Sequence, residues 1–264
     1  MEKQYNLKEF VGIIRTLRGE NGCPWDKKQT HFTLKELLLE ETYETIDAIE
    51  QSDMENLQEE LGDLLLHIVL HATIAEEEGH FTMDDIITGI ANKMIFRHPH
   101  VFGEATAKTA EDVSVLWEER KKEEKNLQTT SQAMKRIPKA MPALIATAKV
   151  QKKASEVGFD FDSVDGAIEK AKEEWNELKV EIDKKSDKIE EEFGDILFST
   201  VNVSRFLKLN CEFALTKATK KFINRFEYIE NAVISQGKIL NEVSLAEMDT
   251  LWNEAKTKAE IPNT

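Results

Sequence analysis

The chain has 264 residues, of which 41% are hydrophobic and 32% are charged, and its formal net charge is −15 at pH 7. This composition fits a packed protein of one large or two ordinary domains and argues against a disordered chain. The negative charge argues against binding to nucleic acid or to a membrane, because both need clustered positive charge. Cys23 and Cys211 stand outside any Cys-x-x-Cys pattern, so we expect reduced thiols and a cytoplasmic location.

Helical periodicity and the small number of Gly and Pro residues predict an almost entirely α-helical fold. In the first half, helices are predicted at residues 34–50, 53–78 and 83–97 and around Trp117. In the second half, they are predicted at residues 164–184, 188–209, 213–235 and 245–258. A short turn joins the first two helices of each half, so these helices should run antiparallel.

Several helix starts have the capping-box spacing, in which Ser or Thr precedes an acidic residue by three positions. The pairs are Thr33 with Glu36, Ser52 with Glu55, Thr82 with Asp85, Thr109 with Asp112, and Ser244 with Glu247. The third helix should end just before Pro99, because the residue preceding a proline avoids the helical conformation.

The pattern Glu-Glu-x-x-Glu, followed by Glu-x-x-Asp, occurs twice. The two copies are Glu40, Glu41, Glu44, Glu60 and Asp63, and Glu173, Glu174, Glu177, Glu192 and Asp195. Residues three or four apart share one helix face, so the carboxylates of two antiparallel helices face each other. Such carboxylates repel one another unless a hard cation lies between them. Each copy is therefore a candidate magnesium site; a solvated acidic face is the weaker alternative, because Asp63 and Asp195 stand among apolar residues.

The rest of the chain repeats in the same order, with small changes in loop length. Glu40 and Glu173 are 133 residues apart, and Asp63 and Asp195 are 132 apart. Upstream, Pro24-Trp25-Asp26 aligns with Gly158-Phe159-Asp160. Downstream, Lys93, Arg97, Trp117 and Lys121 match Lys221, Arg225, Trp252 and Lys256. We predict two tandem domains, at residues 1–126 and 139–264, joined by a linker at residues 127–138.

The repeated basic residues have two interpretations. They could pair with nearby acidic side chains, or form a phosphate clamp in which Arg grips oxygens in bidentate fashion. Their repetition favours the clamp. His67 and His71 are not repeated, since Ser199 and Val203 take their places, and polar packing or support of the metal ligands is the favoured interpretation.

These motifs resemble those of the MazG family of nucleoside triphosphate pyrophosphohydrolases, in its two-repeat form. The segments that carry the resemblance are Asn21-Gly-Cys-Pro-Trp-Asp26, Leu39-Glu-Glu-Thr-Tyr-Glu44, Glu60-Leu-Gly-Asp63, Arg97-His-Pro-His-Val-Phe102, Val157-Gly-Phe-Asp160 and Glu192-Phe-Gly-Asp195. The resemblance implies an all-α homodimer of two tandem MazG-like domains, each contributing to a four-helix-bundle type of metal site. It also implies cleavage of a nucleoside triphosphate to the monophosphate and pyrophosphate, and a role in cleaning the nucleotide pool.

The resemblance also implies residue roles. The implied metal ligands are Glu174, Glu177, Glu192 and Asp195, with Glu41, Glu44, Glu60 and Asp63 as their first-half equivalents. The implied nucleotide contacts are Lys221, Arg225, Trp252 and Lys256, with Lys93, Arg97, Trp117 and Lys121 as equivalents. The expected cofactor is Mg²⁺, with Mn²⁺ as an alternative. One departure is Thr219, which stands where the family has Asn and bears on base or sugar recognition in the second half.

Three hypotheses remain open from the sequence. Glu173, or Glu40 in the first half, is placed to act as general base while its neighbours bind the metal. One half, with the first as the candidate, could instead be a structural or nucleotide-sensing module. A di-iron carboxylate bundle is a third interpretation, although that chemistry calls for Glu-x-x-His pairs and the pairs here are Glu-x-x-Glu and Glu-x-x-Asp.

Overall fold

Helices form the regular secondary structure of the computed structural model, which describes residues 3–125 and 129–259. No β-strand is present in either described range, and the predicted all-α class is confirmed. The chain divides into two units, residues 1–125 and 126–264. Within the described ranges, no helix is long and apolar enough to cross a membrane.

The first unit is built on a helix pair that carries the first acidic repeat. Its helices are α1 (Leu7–Arg18), α2 (Pro24–Lys28), α3 (Lys35–Gln51), α4 (Met54–Glu77), α5 (Met83–Arg97), α6 (Pro99–Phe102) and α7 (Ala110–Lys125). Helix α3 packs along α4, α1 packs on α4, and α7 packs on α5. The hydrophobic core lies between α1 and α4, around Ile14, Leu34 and Val69.

The second unit repeats this arrangement. Its helices are α8 (Thr130–Lys135), α9 (Ala143–Ser155), α10 (Val164–Lys184), α11 (Ile189–Phe206), α12 (Cys211–Ser235), a 3₁₀ helix (Leu240–Glu242) and α13 (Leu245–Ala259). Helix α10 packs along α11, α9 packs on α11, and α13 packs on α12. The segment predicted as a linker contains α8, which Thr129 caps by accepting a hydrogen bond from the Gln132 N–H; residues 126–128 lie outside the described ranges.

The first helix of each acidic pair ends with the same uncommon backbone conformation. Helix α3 ends at Ser52 with φ 56°, and α10 ends at Lys185 with φ 53°. Both residues adopt the left-handed backbone conformation, and their N–H groups donate hydrogen bonds to carbonyl oxygens of the last helical turn. Each turn brings the next helix back antiparallel, as predicted from its short length.

The eight predicted helices agree with the structure within three residues at each predicted end, whereas α1, α2, α6, α8 and α9 were not predicted. The capping boxes that begin with Thr82, Thr109 and Ser244 are confirmed. Those at Thr33 and Ser52 are wrong. Thr33 donates instead to the Gln29 side chain, and Asp53 caps α4 by accepting from the Asn56 N–H.

Candidate active site

The acidic residues of the first half converge where α3 crosses the start of α4. Helix α3 supplies Glu41, and α4 supplies Glu60 and Asp63, one turn apart. One carboxylate oxygen from each of these residues lies within 4.8 Å of the other two. Glu60 is only 8% exposed, so this cluster is not a solvated acidic face.

The first-half carboxylates are held in an unfavourable environment for negative charge. Burial, followed by the charges of Asp63, Glu44 and Glu60, raises the pKa of Glu41. Burial and the charges of Glu44 and Asp63 likewise raise the pKa of Glu60. Both shifts have the causes expected for like charges crowded away from water. A cation between the carboxylates would offset this repulsion.

The second half builds the same cluster from α10 and α11. One oxygen from each of Glu174, Glu192 and Asp195 lies within 4.8 Å of the other two. Glu174 is 6% exposed, while Asp195 faces solvent. Burial and the charge of Glu174 raise the pKa of Glu177, although Lys170 opposes that shift. The two halves therefore present matching sets of oxygen donors.

Lys170 distinguishes the second cluster from the first. Its ammonium group lies 2.8 Å from a carboxylate oxygen of Glu174 and 3.1 Å from one of Glu173. Hydrogen bonds to these two carboxylates raise the pKa of Lys170. Leu37 takes the corresponding position in the first half. The second cluster thus contains an ammonium group supplied by the chain itself. This group was not predicted from the sequence, although the four-residue spacing between Lys170 and Glu174 could have indicated it.

In the first half, two of the predicted clamp residues, Arg97 and Lys121, are already paired with carboxylates of the chain. Arg97 is 7% exposed and donates two hydrogen bonds, of 2.9 and 2.6 Å, to Glu124. Its guanidinium carbon also lies 4.9 Å from the ring centroid of Trp117. Lys121 lies 3.5 Å from a carboxylate oxygen of Glu118. The positive charge of Arg97 is therefore neutralised by an internal carboxylate.

In the second half, the corresponding arginine, Arg225, forms no ion pair with a carboxylate among the described residues. The guanidinium carbon of Arg225 lies 5.4 Å from the Trp252 ring centroid, and its Nε is buried with no hydrogen-bond partner among the described residues. Lys221 and Arg225 line a cavity of about 510 Å³. The other residues of this cavity are Lys217, Lys220, Asn224, Tyr228, Ala255 and Lys258. Such a concentration of positive charge in an acidic protein is suited to an anion.

The comparisons with known proteins identify the family. The MazG nucleotide pyrophosphohydrolase domain matches the chain twice, at residues 29–102 and 162–229. The chain belongs to the MazG family. The predicted family is confirmed, and with it the enzyme class, nucleotide pyrophosphohydrolase.

MazG relatives align along nearly the whole chain. The nucleoside triphosphate pyrophosphohydrolase/pyrophosphatase MazG of Thermotoga maritima is 44% identical, and the alignment covers 95% of each chain. The nucleoside triphosphate pyrophosphohydrolase of Escherichia coli K12 is 42% identical over 95% of this chain and 97% of that protein. The uncharacterized protein YabN of Bacillus subtilis is 49% identical over 96% of this chain, which spans 52% of YabN.

The two MazG repeats bring together most, but not all, of the residues predicted to bind metal. Glu44 and Glu177 lie outside the two three-oxygen groups. The charge of Glu44 nevertheless raises the pKa of Glu41, and the charge of Glu174 raises the pKa of Glu177. The cavity lined by Lys221 and Arg225 contains none of the predicted metal ligands. The ligand and clamp roles therefore remain predictions.

The remaining predicted residues lie outside the two three-oxygen groups. Glu40 and Glu173 are exposed, and Glu173 lines an open cavity of about 790 Å³ together with Glu177 and Glu192. Lys93 lies half-buried on α5, one turn before Arg97. Lys256 donates a hydrogen bond of 3.2 Å to the Asn253 side chain.

His67 and His71 lie on α4, one and two turns after Asp63 of the first MazG cluster. His67 is 4% exposed, and its Nε2 lies 3.9 Å from a carboxylate oxygen of Glu41. Burial lowers the pKa of both histidines. The Nδ1 atoms of His71 and His31 are 2.7 Å apart, and their rings stack. These contacts agree with polar packing beside the carboxylates.

Proposed function

We propose that the chain hydrolyses ribo- and deoxyribonucleoside triphosphates to the monophosphate and pyrophosphate, with Mg²⁺ as cofactor and Mn²⁺ as an alternative. A house-cleaning role in the cytoplasmic nucleotide pool is part of this proposal. The observation that carries it is the convergence of Glu174, Glu192 and Asp195 beside a cavity, with Glu174 only 6% exposed. Family membership and the names of the Thermotoga maritima and Escherichia coli relatives support the substrate class.

The donor set of the second half fits a hard divalent cation. Mg²⁺ binds oxygen ligands, and three carboxylate oxygens within 4.8 Å of one another provide them. The carboxylates that would hold the ion are Glu174, Glu192 and Asp195, with Glu177 beside them. When bound, Mg²⁺ polarises a phosphoryl group and orients a water molecule for in-line attack.

The side chains around these carboxylates have separate tasks in the proposed reaction. Glu173 lines the open cavity beside Glu177 and is placed to accept a proton from the attacking water. Lys170 neutralises Glu174 and lines the same cavity, where its ammonium group can contact a phosphate. Lys221 and Arg225 would neutralise the charge that builds on the departing pyrophosphate.

We propose the second half as the principal active site and the first as a structural or nucleotide-sensing module. Glu124 neutralises Arg97 in the first half, whereas the Nε of Arg225 has no hydrogen-bond partner in the part of the chain that the structure describes. The first half also has Leu37 in place of Lys170. The first half therefore has one positive charge fewer at its cluster, and the positive charge of Arg97 is already neutralised, so we expect weaker phosphate binding there.

An Arg225→Lys variant tests the basic cavity. Lysine keeps the charge but cannot grip two oxygens in a fixed fork, so we expect KM for a nucleoside triphosphate to rise about tenfold. Steady-state kinetics measures this. The matched control is Arg15→Lys, because Arg15 is half-exposed and paired with Glu76 in the first unit. An unchanged KM in a folded Arg225→Lys protein would remove Arg225 from the substrate site.

A nucleotide panel tests the proposed reaction itself. Pyrophosphate release is measured from the eight common ribo- and deoxyribonucleoside triphosphates, with Mg²⁺ or Mn²⁺. We expect release of pyrophosphate and the matching monophosphate. Absence of turnover on every member, by folded protein with metal present, would overturn the proposal.

The proposed homodimer is supported by apolar residues on α4 and α11 that repeat and remain exposed. Leu61 and its equivalent Phe193 are 51% and 50% exposed, and Leu65 and Leu197 are 37% and 45% exposed. Repeated exposed apolar faces are typical of interaction surfaces. Sedimentation equilibrium should give twice the chain mass of 30.2 kDa; a monomer mass would contradict the dimer.

A further inference from the structure

A third cavity in the second unit includes part of the carboxylate cluster in its lining. Its volume is about 530 Å³, which is within the range of small-molecule sites. Glu174 and Asp195 lie at one part of its lining. Apolar side chains make up much of the remainder, namely Val150, Ala154, Phe159, Phe161 and Phe198. Lys170 and Phe161 line both this cavity and the open acidic one, so the two adjoin at the cluster.

Gln151, which also lines this cavity, carries a buried acceptor without a partner. The residue is 6% exposed, and its Nε2 donates a hydrogen bond of 2.8 Å to the backbone oxygen of Phe198. A carbonyl oxygen can only accept, so this bond fixes which end of the amide is which. The Oε1 atom is therefore directed elsewhere, and it accepts no hydrogen bond from any described residue.

A buried carbonyl oxygen without a donor is unfavourable, and native proteins rarely retain one without a reason. Here the reason can be a ligand that brings its own N–H group. The Phe198 contact prevents the amide from turning to offer its nitrogen instead. Gln151 Oε1 is thus held as an acceptor, while the nitrogen end of the amide is directed at the Phe198 backbone oxygen.

The first half lacks this arrangement at the equivalent positions. By the spacing that aligns Pro24-Trp25-Asp26 with Gly158-Phe159-Asp160, Gln151 corresponds to Leu17. By the spacing of the acidic repeat, Phe198 corresponds to Leu66. Leu17 and Leu66 both pack against the hydrophobic core of the first unit. The polar acceptor is therefore a feature of the second half.

We propose that this cavity is the nucleobase subsite of the second half and that Gln151 Oε1 accepts a hydrogen bond from an N–H group on the base. The inference rests on the proposed nucleoside triphosphate substrate. Every common nucleobase has at least one N–H donor on its pairing edge, so Gln151 holds a base in place without selecting a single one. Phe159, which is 82% exposed, provides an aromatic ring on which the base stacks.

The test compares two substrates on two proteins, wild type and Gln151→Met, and measures kcat/KM for each of the four combinations. ATP carries one N–H donor group on its base, the 6-amino group, and purine riboside 5′-triphosphate differs by lacking it. We expect wild type to prefer ATP about tenfold, as for the loss of one hydrogen bond to a buried acceptor. In Gln151→Met, which removes the acceptor at similar size, the preference should disappear.

Two further variants keep the test decisive. Leu17→Met makes the equivalent volume-conserving change in the first half and should leave the tenfold preference intact. Phe159→Leu alters an exposed ring and should lower kcat/KM severalfold for both substrates alike, because stacking does not depend on the amino group. Equal kcat/KM of wild type for the two substrates would overturn the subsite, even if Gln151→Met failed to fold.

A tenfold preference that persists in folded Gln151→Met would also overturn the role of Gln151. Either result leaves triphosphate hydrolysis itself standing. Failure of wild type to hydrolyse both substrates and every member of the nucleotide panel would instead reject the proposed function.

Discussion

An Asp195→Asn variant is expected to lose at least about a hundredfold in kcat for nucleoside triphosphate hydrolysis while remaining folded. Asp195 contributes one of three converging carboxylate oxygens in the second half. Changes to residues that merely support metal ligands cost about 10- to 100-fold, so loss of a ligand charge should cost at least as much. Asn has nearly the same shape, and Asp195 is exposed, so the fold should tolerate it. Steady-state pyrophosphate release and thermal melting measure the two effects.

The matched control is Asp63→Asn, which makes the same change at the equivalent position of the first cluster. If the second half is the principal active site, this variant should keep most of the activity. The double variant should resemble Asp195→Asn alone. Near-normal pyrophosphate release by the folded double variant would rule out the carboxylates as the catalytic centre.

Removal of divalent cations with EDTA is expected to abolish turnover and to lower the melting temperature. Without a cation, carboxylates such as Glu41 and Glu60 remain crowded and their pKa values stay raised. A ligand that binds only the folded state, at a hundred times its Kd, adds about 2.7 kcal/mol to the free energy of unfolding. Readdition of Mg²⁺ should therefore restore both activity and melting temperature. Scanning fluorimetry with excess EDTA or Mg²⁺ measures the shift.

The Asp63→Asn, Asp195→Asn double variant serves as the control for this stabilisation. It removes one carboxylate from each cluster, so repulsion without metal should fall and the Mg²⁺-dependent rise in melting temperature should shrink. A wild-type protein with the same melting temperature and the same turnover in EDTA and in Mg²⁺ would be incompatible with a metal site at these residues.

Much of the fold and of the acidic centres could be predicted because the relevant signals are local. Residues three or four apart on one helix face, such as Glu60 and Asp63, are recognisable without knowing the tertiary structure. Repetition of the same spacings in both halves then identified the helix pairs that carry them. Local signals failed where two adjacent residues compete, as at the start of α4, where Asp53 rather than Ser52 is the cap.

Two of the features that distinguish the halves depend on contacts between distant residues. Arg97 and its partner Glu124 are 27 residues apart, and the Gln151 amide bonds to a backbone oxygen 47 residues away. No sequence pattern shows that the side-chain oxygen of a glutamine will be buried without a hydrogen-bond donor, because this depends on the residues that pack around it in the fold. The repeat therefore predicted equivalence of the halves, while the structure reveals how their charges and cavities differ.

We propose that the carboxylates of the second MazG repeat, Glu174, Glu192 and Asp195, serve a metal-dependent hydrolysis of the bond between the α- and β-phosphates. The most direct test is hydrolysis of ATP by wild type with Mg²⁺ in H₂¹⁸O, with products analysed by mass spectrometry. We expect AMP carrying one ¹⁸O and unlabelled pyrophosphate, because water attacks the α-phosphorus. Formation of ADP and phosphate, or of pyrophosphate that carries the label, would contradict it.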